Sequence, residues 1–371
     1  MKSFYQCTLL NSILSSLSID NLSTIPSTSV LNNIFGYSDN EDYFHNYTNE
    51  QLSRILAGRS FSQARKNYLE NFAPPEQRIL NLNDKICGVG LVPFPNSSQD
   101  SHFYLSFWRL REVTTFTYKI EGSNYSESMN NFIKNVINSE STNNVNQNEN
   151  SKIVHHENVN EKVNDVLELR ANYITILPTG EVLVDQVNSP EKKNLILSGS
   201  FNPLHHGHVK MVNAAKNSFN FDESKCYYEL AIQNADKGKI ALDIILDRCA
   251  QFSGKSSFIL TREPFFINKA RLINNSSFII GYDTAIRVVN EKYYNNSKKE
   301  MIDELNQFKE YKSDLLVCGR SVNNEWSLEF DVCFHSILKN TISNLIIRHQ
   351  WIIYFILFQK TSTLWIFHPP N

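Results

Sequence analysis

The chain lacks a charge excess of either sign. Its 36 Lys and Arg nearly balance 38 Asp and Glu, leaving a formal net charge of -2. No basic field is therefore set up for nucleic acid. Paired cysteines are also missing. Cys7, Cys87, Cys226, Cys249, Cys318 and Cys333 stand apart with no C-x-x-C spacing, which argues against a zinc ligand set and a disulfide framework. This usage is expected of a reduced compartment, cytoplasmic or nuclear. A bilayer span is missing as well. The apolar octet Trp351 to Phe358 is far shorter than the roughly twenty residues a helix needs to cross. Met1 to Leu22 has no compact apolar core, only apolar residues broken by Ser and Asn, and is expected to belong to the mature protein.

What is present divides the chain. At 371 residues it has room for two domains. Composition turns polar and Asn-rich from about Asn138 to Asp165, with too little apolar content to order itself, so residues 139–165 are expected to be a linker. His155 and His156 within it are expected to be a solvated pair and not metal ligands. Residues 1–138 read as a smaller α/β domain, with a helix over Glu50–Phe72 and strands over Ile86–Phe94 and Phe103–Leu110. Residues 166–335 alternate strand and helix patterns. The strands are Leu195–Gly199, Tyr227–Ile232, Ser256–Leu260, Ser277–Gly281 and Asp314–Cys318. The helices are Val209–Phe219, Ile240–Phe252, Asp283–Asn290 and Lys298–Tyr311. Such alternation predicts a parallel sheet with ligands beyond its C-terminal strand ends. Residues 336–371 form an atypical apolar tail. A divergent closing helix, a partner-binding surface and a shifted reading frame all account for it, and the abrupt change in composition after Phe334 favours the last.

The chemistry concentrates in Ser198-Gly199-Ser200-Phe201-Asn202-Pro203-Leu204-His205-His206-Gly207-His208. A strand, a tight loop and a helix start carrying histidines make a phosphate site, because backbone N–H groups and the helix dipole attract anions. His208, and then His205, are the candidate donors to charge that builds during transfer, and an anion beside His208 favours its charged form. A second candidate is Gly281-Tyr282-Asp283-Thr284, where Gly281 permits close approach and Asp283 can accept from a ribose hydroxyl; Asp and Thr are also good helix caps. A third is Gln233 to Gly238, in which Lys237 can meet a phosphate. Thr261 to Ala270 ends another strand, with Phe265 and Phe266 able to flank a ring or fill the core.

The first motif resembles the signature of the nucleotidylyltransferase superfamily, G-S-F-N-P followed by (T/H)-x-G-H. His205, Gly207 and His208 match its defining positions, and Gly199, Ser200 and Phe201 its backbone turn. The G-x-D-T element resembles that of nicotinamide and nicotinate mononucleotide adenylyltransferases. The resemblance implies a Rossmann-like domain, ATP and a mononucleotide as substrates, pyrophosphate release and Mg²⁺. It also implies that His208 stabilises the transition state without acting as a nucleophile. A cytidylyltransferase acting on a phosphorylated alcohol and a non-catalytic nucleotide-binding protein stay open as alternatives. Ile342 to Arg348 resembles the family's closing I-S-S-T-x-I-R helix start, and its Ser343 and Arg348 are the candidate triphosphate contacts. Upstream, Ile25 to Leu31, Tyr37-Ser38 and Ile86 to Leu91 resemble the C-terminal CinA (nicotinamide-nucleotide amidase) fold. The amidase's S-C-T-G-G loop has no counterpart, so no amidase activity is expected.

Overall fold

Strand and helix patterns of two different periods build two different sheets in the computed structural model, one antiparallel and one largely parallel. The structure describes residues 47–71, 86–93, 102–119, 125–139, 150–188, 191–234, 238–318, 353–358 and 364–367. Two compact units result: Met1–Asp165 with Ile176–Val182 and Ala241–Ser256, and Val166–Thr175 with Leu183–Ile240 and Ser257–Asn371.

The first unit opens with α1 (Asn49–Asn71), followed by β1 (Gly88–Pro93), β2 (His102–Trp108) and β3 (Glu112–Lys119). Helix α2 (Tyr125–Asn138) precedes β4 (Ser151–Asn158). The four strands pair antiparallel in sequence order. Alternation places Val89, Leu91, Leu105, Phe107 and Phe116 in one core, closed by Phe132, Ile133 and Val136 of α2. Glycine lets α1 lie directly on β1. A Cβ at Gly88 would sit 2.0 Å from the Ala57 carbonyl oxygen, and one at Gly90 2.0 Å from that of Ser53. The buried Arg109 finishes α2 by donating to the carbonyls of Val136 (2.7 Å) and Ser139 (2.9 Å), groups a helix C-terminus leaves without partners.

The expected linker is structured where it is described. Strand β4 takes its order from pairing with β3, whose backbone supplies what composition does not. Helix α3 (Val159–Leu167) then buries Val159, Val163 and Val166, an i, i+4, i+7 stripe set among polar residues. His155 and His156 are accordingly strand residues: His156 Nδ1 lies 2.8 Å from the Thr114 hydroxyl, and burial lowers the pKa of His155 to about 4.

The second sheet contains β5 (Tyr173–Ile176), β6 (Val182–Val184), β7 (Asn194–Ser198) and β8 (Cys226–Ala231), with α4 (His206–Phe219) between the last two. A small hairpin of β9 (Gln233–Asn234) and β10 (Gly238–Lys239) follows, then α5 (Leu242–Cys249), which belongs to the first unit. The sheet continues through β11 (Ser257–Thr261), α6 (Phe266–Leu272), β12 (Ser276–Gly281), α7 (Tyr282–Val288), α8 (Lys298–Glu310) and β13 (Asp314–Cys318). It ends with β14 (Ile353–Phe358) and β15 (Leu364–Phe367), so six residues of the apolar octet form a strand beside β13. The order is β15-β14-β13-β12-β7-β8-β11-β5-β6. Pairings from β14 through β11 are parallel. Such a mixed α/β architecture is consistent with a Rossmann-like fold. Ile196, Tyr227, Ile259, Phe278 and Val317 face one cluster, completed by Ile267 of α6 and by Met301, Leu305 and Phe308 of α8. Their strand neighbours Leu197, Tyr228, Phe258 and Ile279 point the other way by alternation and are buried as well. Among the described residues no helix is long and apolar enough to cross a membrane.

Candidate functional site

The strand order fixes where a ligand would lie. From β7 the chain passes through α4 to β8 on one side, and later returns to β12 on the other. Strand order thus reverses between β7 and β12, and open α/β sheets hold ligands beyond the C-terminal strand ends at such a point. Leu197 pairs with Ile279 there. The loop from Gly199 and the turn at Gly281 therefore leave neighbouring strand ends, and the two leading sequence motifs converge.

Phe201 organises the loop from below. Its φ is 46°, and its ring is fully buried. It meets Tyr228 at 5.7 Å, Phe258 at 6.3 Å and His208 at 5.1 Å, each in an edge-on arrangement favoured by the ring quadrupole. Gly199 makes room for it, since a Cβ there would come within 2.9 Å of the ring. The Gly199 N–H donates to the Glu229 carbonyl on β8 at 3.0 Å, which fixes where the loop departs. Ser200 is exposed at the turn.

Helix α4 begins with imidazoles where many helices use Ser and Glu. His205 is the N-cap, and its Nδ1 accepts the Gly207 N–H at 3.1 Å. His208 is the third helical residue, and its Nδ1 accepts the His205 N–H at 3.2 Å. This is a capping box. The rings stack with centroids 3.7 Å apart. Because each Nδ1 accepts a hydrogen bond, each neutral ring carries its proton on Nε2. Two Nε2–H donors thus stand at a helix N-terminus whose first turn has no acid. Burial, and secondly the neighbouring His205, lower the pKa of His208 to about 4. The shift favours the neutral ring at physiological pH, while a bound anion would favour the charged form. His206 is exposed.

At the second motif the helix starts one residue earlier than expected. Gly281 is the N-cap of α7, so neither Asp283 nor Thr284 occupies the cap position. Asp283 lies in the first turn; its side chain is outside the described residues. A Cβ at Gly281 would meet nothing within 4 Å, so open space borders this strand end. Gln233–Asn234 and Gly238–Lys239 pair antiparallel beyond β8, with Gly238 at φ 77°. Lys237, Ser343, Arg348 and the stretch from Ile25 to Ser38 lie outside the described residues. Of the two phenylalanines after β11, Phe266 packs on Phe278 at 5.9 Å, whereas Phe265 is exposed.

A buried polar group beside the loop escaped sequence reading. Glu229, in the middle of β8, is fully buried, accepts from the Thr261 hydroxyl at 2.6 Å and pairs with Lys269 at 2.7 Å. The Lys269 ammonium also lies 4.8 Å from the Phe266 ring centre. A lone Glu inside the apolar run Tyr227 to Ile232 was the available signal, since a buried carboxylate requires a partner.

No protein-family description matches the chain. The chain is distantly related to a Schizosaccharomyces pombe protein provisionally named nicotinamide mononucleotide adenylyltransferase. Identity is 26% over 184 residues, covering 46% of this chain and 70% of that protein. Among solved structures, a ferredoxin–NADP+ reductase from Plasmodium falciparum in complex with 2'P-AMP aligns over 73% of this chain and 95% of its own. Its identity is 12% and its TM-score 0.13.

Proposed function

We propose that this chain is a nucleotidyltransferase that moves AMP from ATP onto nicotinamide mononucleotide, forming NAD and pyrophosphate. The observation that carries the reading is the stacked His205–His208 capping box at the strand-order reversal. The name of the Schizosaccharomyces pombe relative supports the adenylyl choice.

In the proposed reaction a phosphate oxygen of the mononucleotide attacks the α-phosphorus of ATP. The bond to the bridging oxygen of pyrophosphate breaks, and pyrophosphate leaves with the electron pair. No protein nucleophile is required, so catalysis consists of positioning and charge stabilisation. The Nε2–H groups of His205 and His208 donate to the triphosphate oxygens that gain charge. Gly199, Ser200, Phe201 and Gly207 shape the backbone around the phosphates. Lys237, Ser343 and Arg348 are assigned further phosphate contacts, and Gly281 with Asp283 the ribose. Reactions of this class imply Mg²⁺; among the described residues no group of three His, Cys, Asp or Glu could hold a metal ion.

The test is incubation with ATP, Mg²⁺ and nicotinamide mononucleotide, with NAD measured chromatographically. Failure to form NAD, together with pyrophosphate release from CTP and an alcohol phosphate, refutes the adenylyl reading in favour of cytidylyl transfer.

A further inference from the structure

Glu229, Thr261 and Lys269 are three polar side chains buried in the second unit. Each oxygen of the Glu229 carboxylate takes one donor, the Thr261 hydroxyl at 2.6 Å and the Lys269 ammonium at 2.7 Å. The three belong to β8, β11 and α6, so one carboxylate ties two neighbouring strands to the helix that follows them. Stability alone does not account for such a group. A buried ion pair gains little over apolar side chains of the same volume, because taking two charges out of water offsets their attraction. A fully satisfied polar network does fix its members in one arrangement. What rests on Glu229 is the histidine loop. Its backbone carbonyl accepts the Gly199 N–H at 3.0 Å, where the loop leaves β7. The preceding residue, Tyr228, points to the other side of the sheet and meets Phe201 at 5.7 Å, and Phe258 of β11 meets it at 6.3 Å. Phe201 in turn lies 5.1 Å from His208. Both strands joined by the carboxylate therefore carry the floor under His208.

We propose that Glu229, Thr261 and Lys269 are positioning residues: by locking β8 to β11 they hold Phe201, and through it His208, in place for transfer. The inference rests on the reading that this loop holds the phosphates. It gives none of the three a contact with substrate.

The test is the double variant Glu229→Leu with Lys269→Met in the full chain. It replaces the pair with apolar side chains of similar volume, so its urea midpoint should return close to that of the native chain. Its kcat, measured as pyrophosphate release from ATP and nicotinamide mononucleotide, should nevertheless stay about tenfold low or lower, with a smaller change in KM, because small displacements of a positioned group cost rate steeply. A purely structural pair would return rate together with stability. A second readout needs no turnover. The imidazole NMR signal of His208, assigned with His208→Glu, should titrate above the native value of about 4 in the double variant, because a loosened floor admits water to the ring. If the double variant does not fold, Thr261→Val, which removes one donor and keeps the shape, should show the same two changes at smaller size. A native chain that forms no product removes the reading of the reaction and leaves the imidazole titration to decide this one. A stable variant with kcat within about threefold of native, or with a His208 that titrates as in the native chain, would overturn the proposal.

Discussion

His208 has two separable jobs, and two substitutions distinguish them. Its Nδ1 accepts the His205 N–H, and in the proposed reaction its Nε2–H is the donor. His208→Ala loses both. Loss of one capping interaction at an exposed helix start costs about 0.5–1 kcal/mol. Loss of one transition-state donor costs far more in rate, roughly 10²- to 10³-fold in kcat. His208→Glu restores the first job alone, because a carboxylate at the third helical position accepts the N-cap N–H and has no proton to donate. Its stability should therefore lie within about 0.5 kcal/mol of the native protein while its rate stays near that of the Ala variant. Urea titration measures the first quantity and steady-state pyrophosphate release the second. A Glu variant that keeps kcat within about threefold of native would refute the donor role and leave His208 a helix cap.

Phe201→Ala should cost about 3–5 kcal/mol, because it empties a fully buried ring site beneath His208; denaturant unfolding measures it, and a loss under 1 kcal/mol contradicts the packing. Gly88→Ala should lose the first unit, since its Cβ would sit 2.0 Å from the Ala57 carbonyl oxygen in α1; a melting temperature within 2 °C of native speaks against that helix position. Breaking the Glu229–Lys269 pair with Lys269→Met should cost about 3–5 kcal/mol, whereas Glu229→Leu with Lys269→Met should recover most of it; a double variant no better than the single excludes the pairing as the cause. The pKa of His208 is lowered from 6.5 to about 4, so above pH 6.5 the ring is neutral folded and unfolded and contributes no pH dependence. Between pH 6.5 and 4 the unfolded chain takes a proton that the folded chain refuses, so stability falls as pH falls, by at most about 1.4 kcal/mol per unit. Urea midpoints at pH 7 and 5 should therefore differ less in His208→Gln than in the native chain.

Five of the nine strands of the second sheet were readable almost to the residue because they are short apolar runs bounded by Gly, Asn and Ser, whereas β5, β6, β14 and β15 were not expected. Asp314–Cys318 matches as expected, and β7, β8, β11 and β12 shift by no more than one residue at either end. The expected order of elements also brings the two motifs to one end of the sheet. The segment at 139–165 misled because composition cannot register a partner: β4 is ordered by pairing with β3, and the three valines of α3 are a sparse stripe that Asn, Glu and Lys dilute. The electrostatic state of His208 was unreadable for a similar reason. It depends on Phe201 lying beneath the ring and His205 beside it, and the folded loop determines both.

The spacing of the histidine motif now has a physical cause. N-cap and third helical residue are the two positions of a capping box, and His205 and His208 occupy them. The intervening Gly207 is needed because a Cβ there would come 2.9 Å from the His205 ring. The remaining position, His206, faces solvent and enters neither hydrogen bond of the box. Threonine is acceptable in place of His205 in the signature this run resembles because threonine too is a good N-cap. In the proposed function the third helical position needs an acceptor for the cap and a donor for the ligand, and neutral imidazole supplies both from one rigid ring.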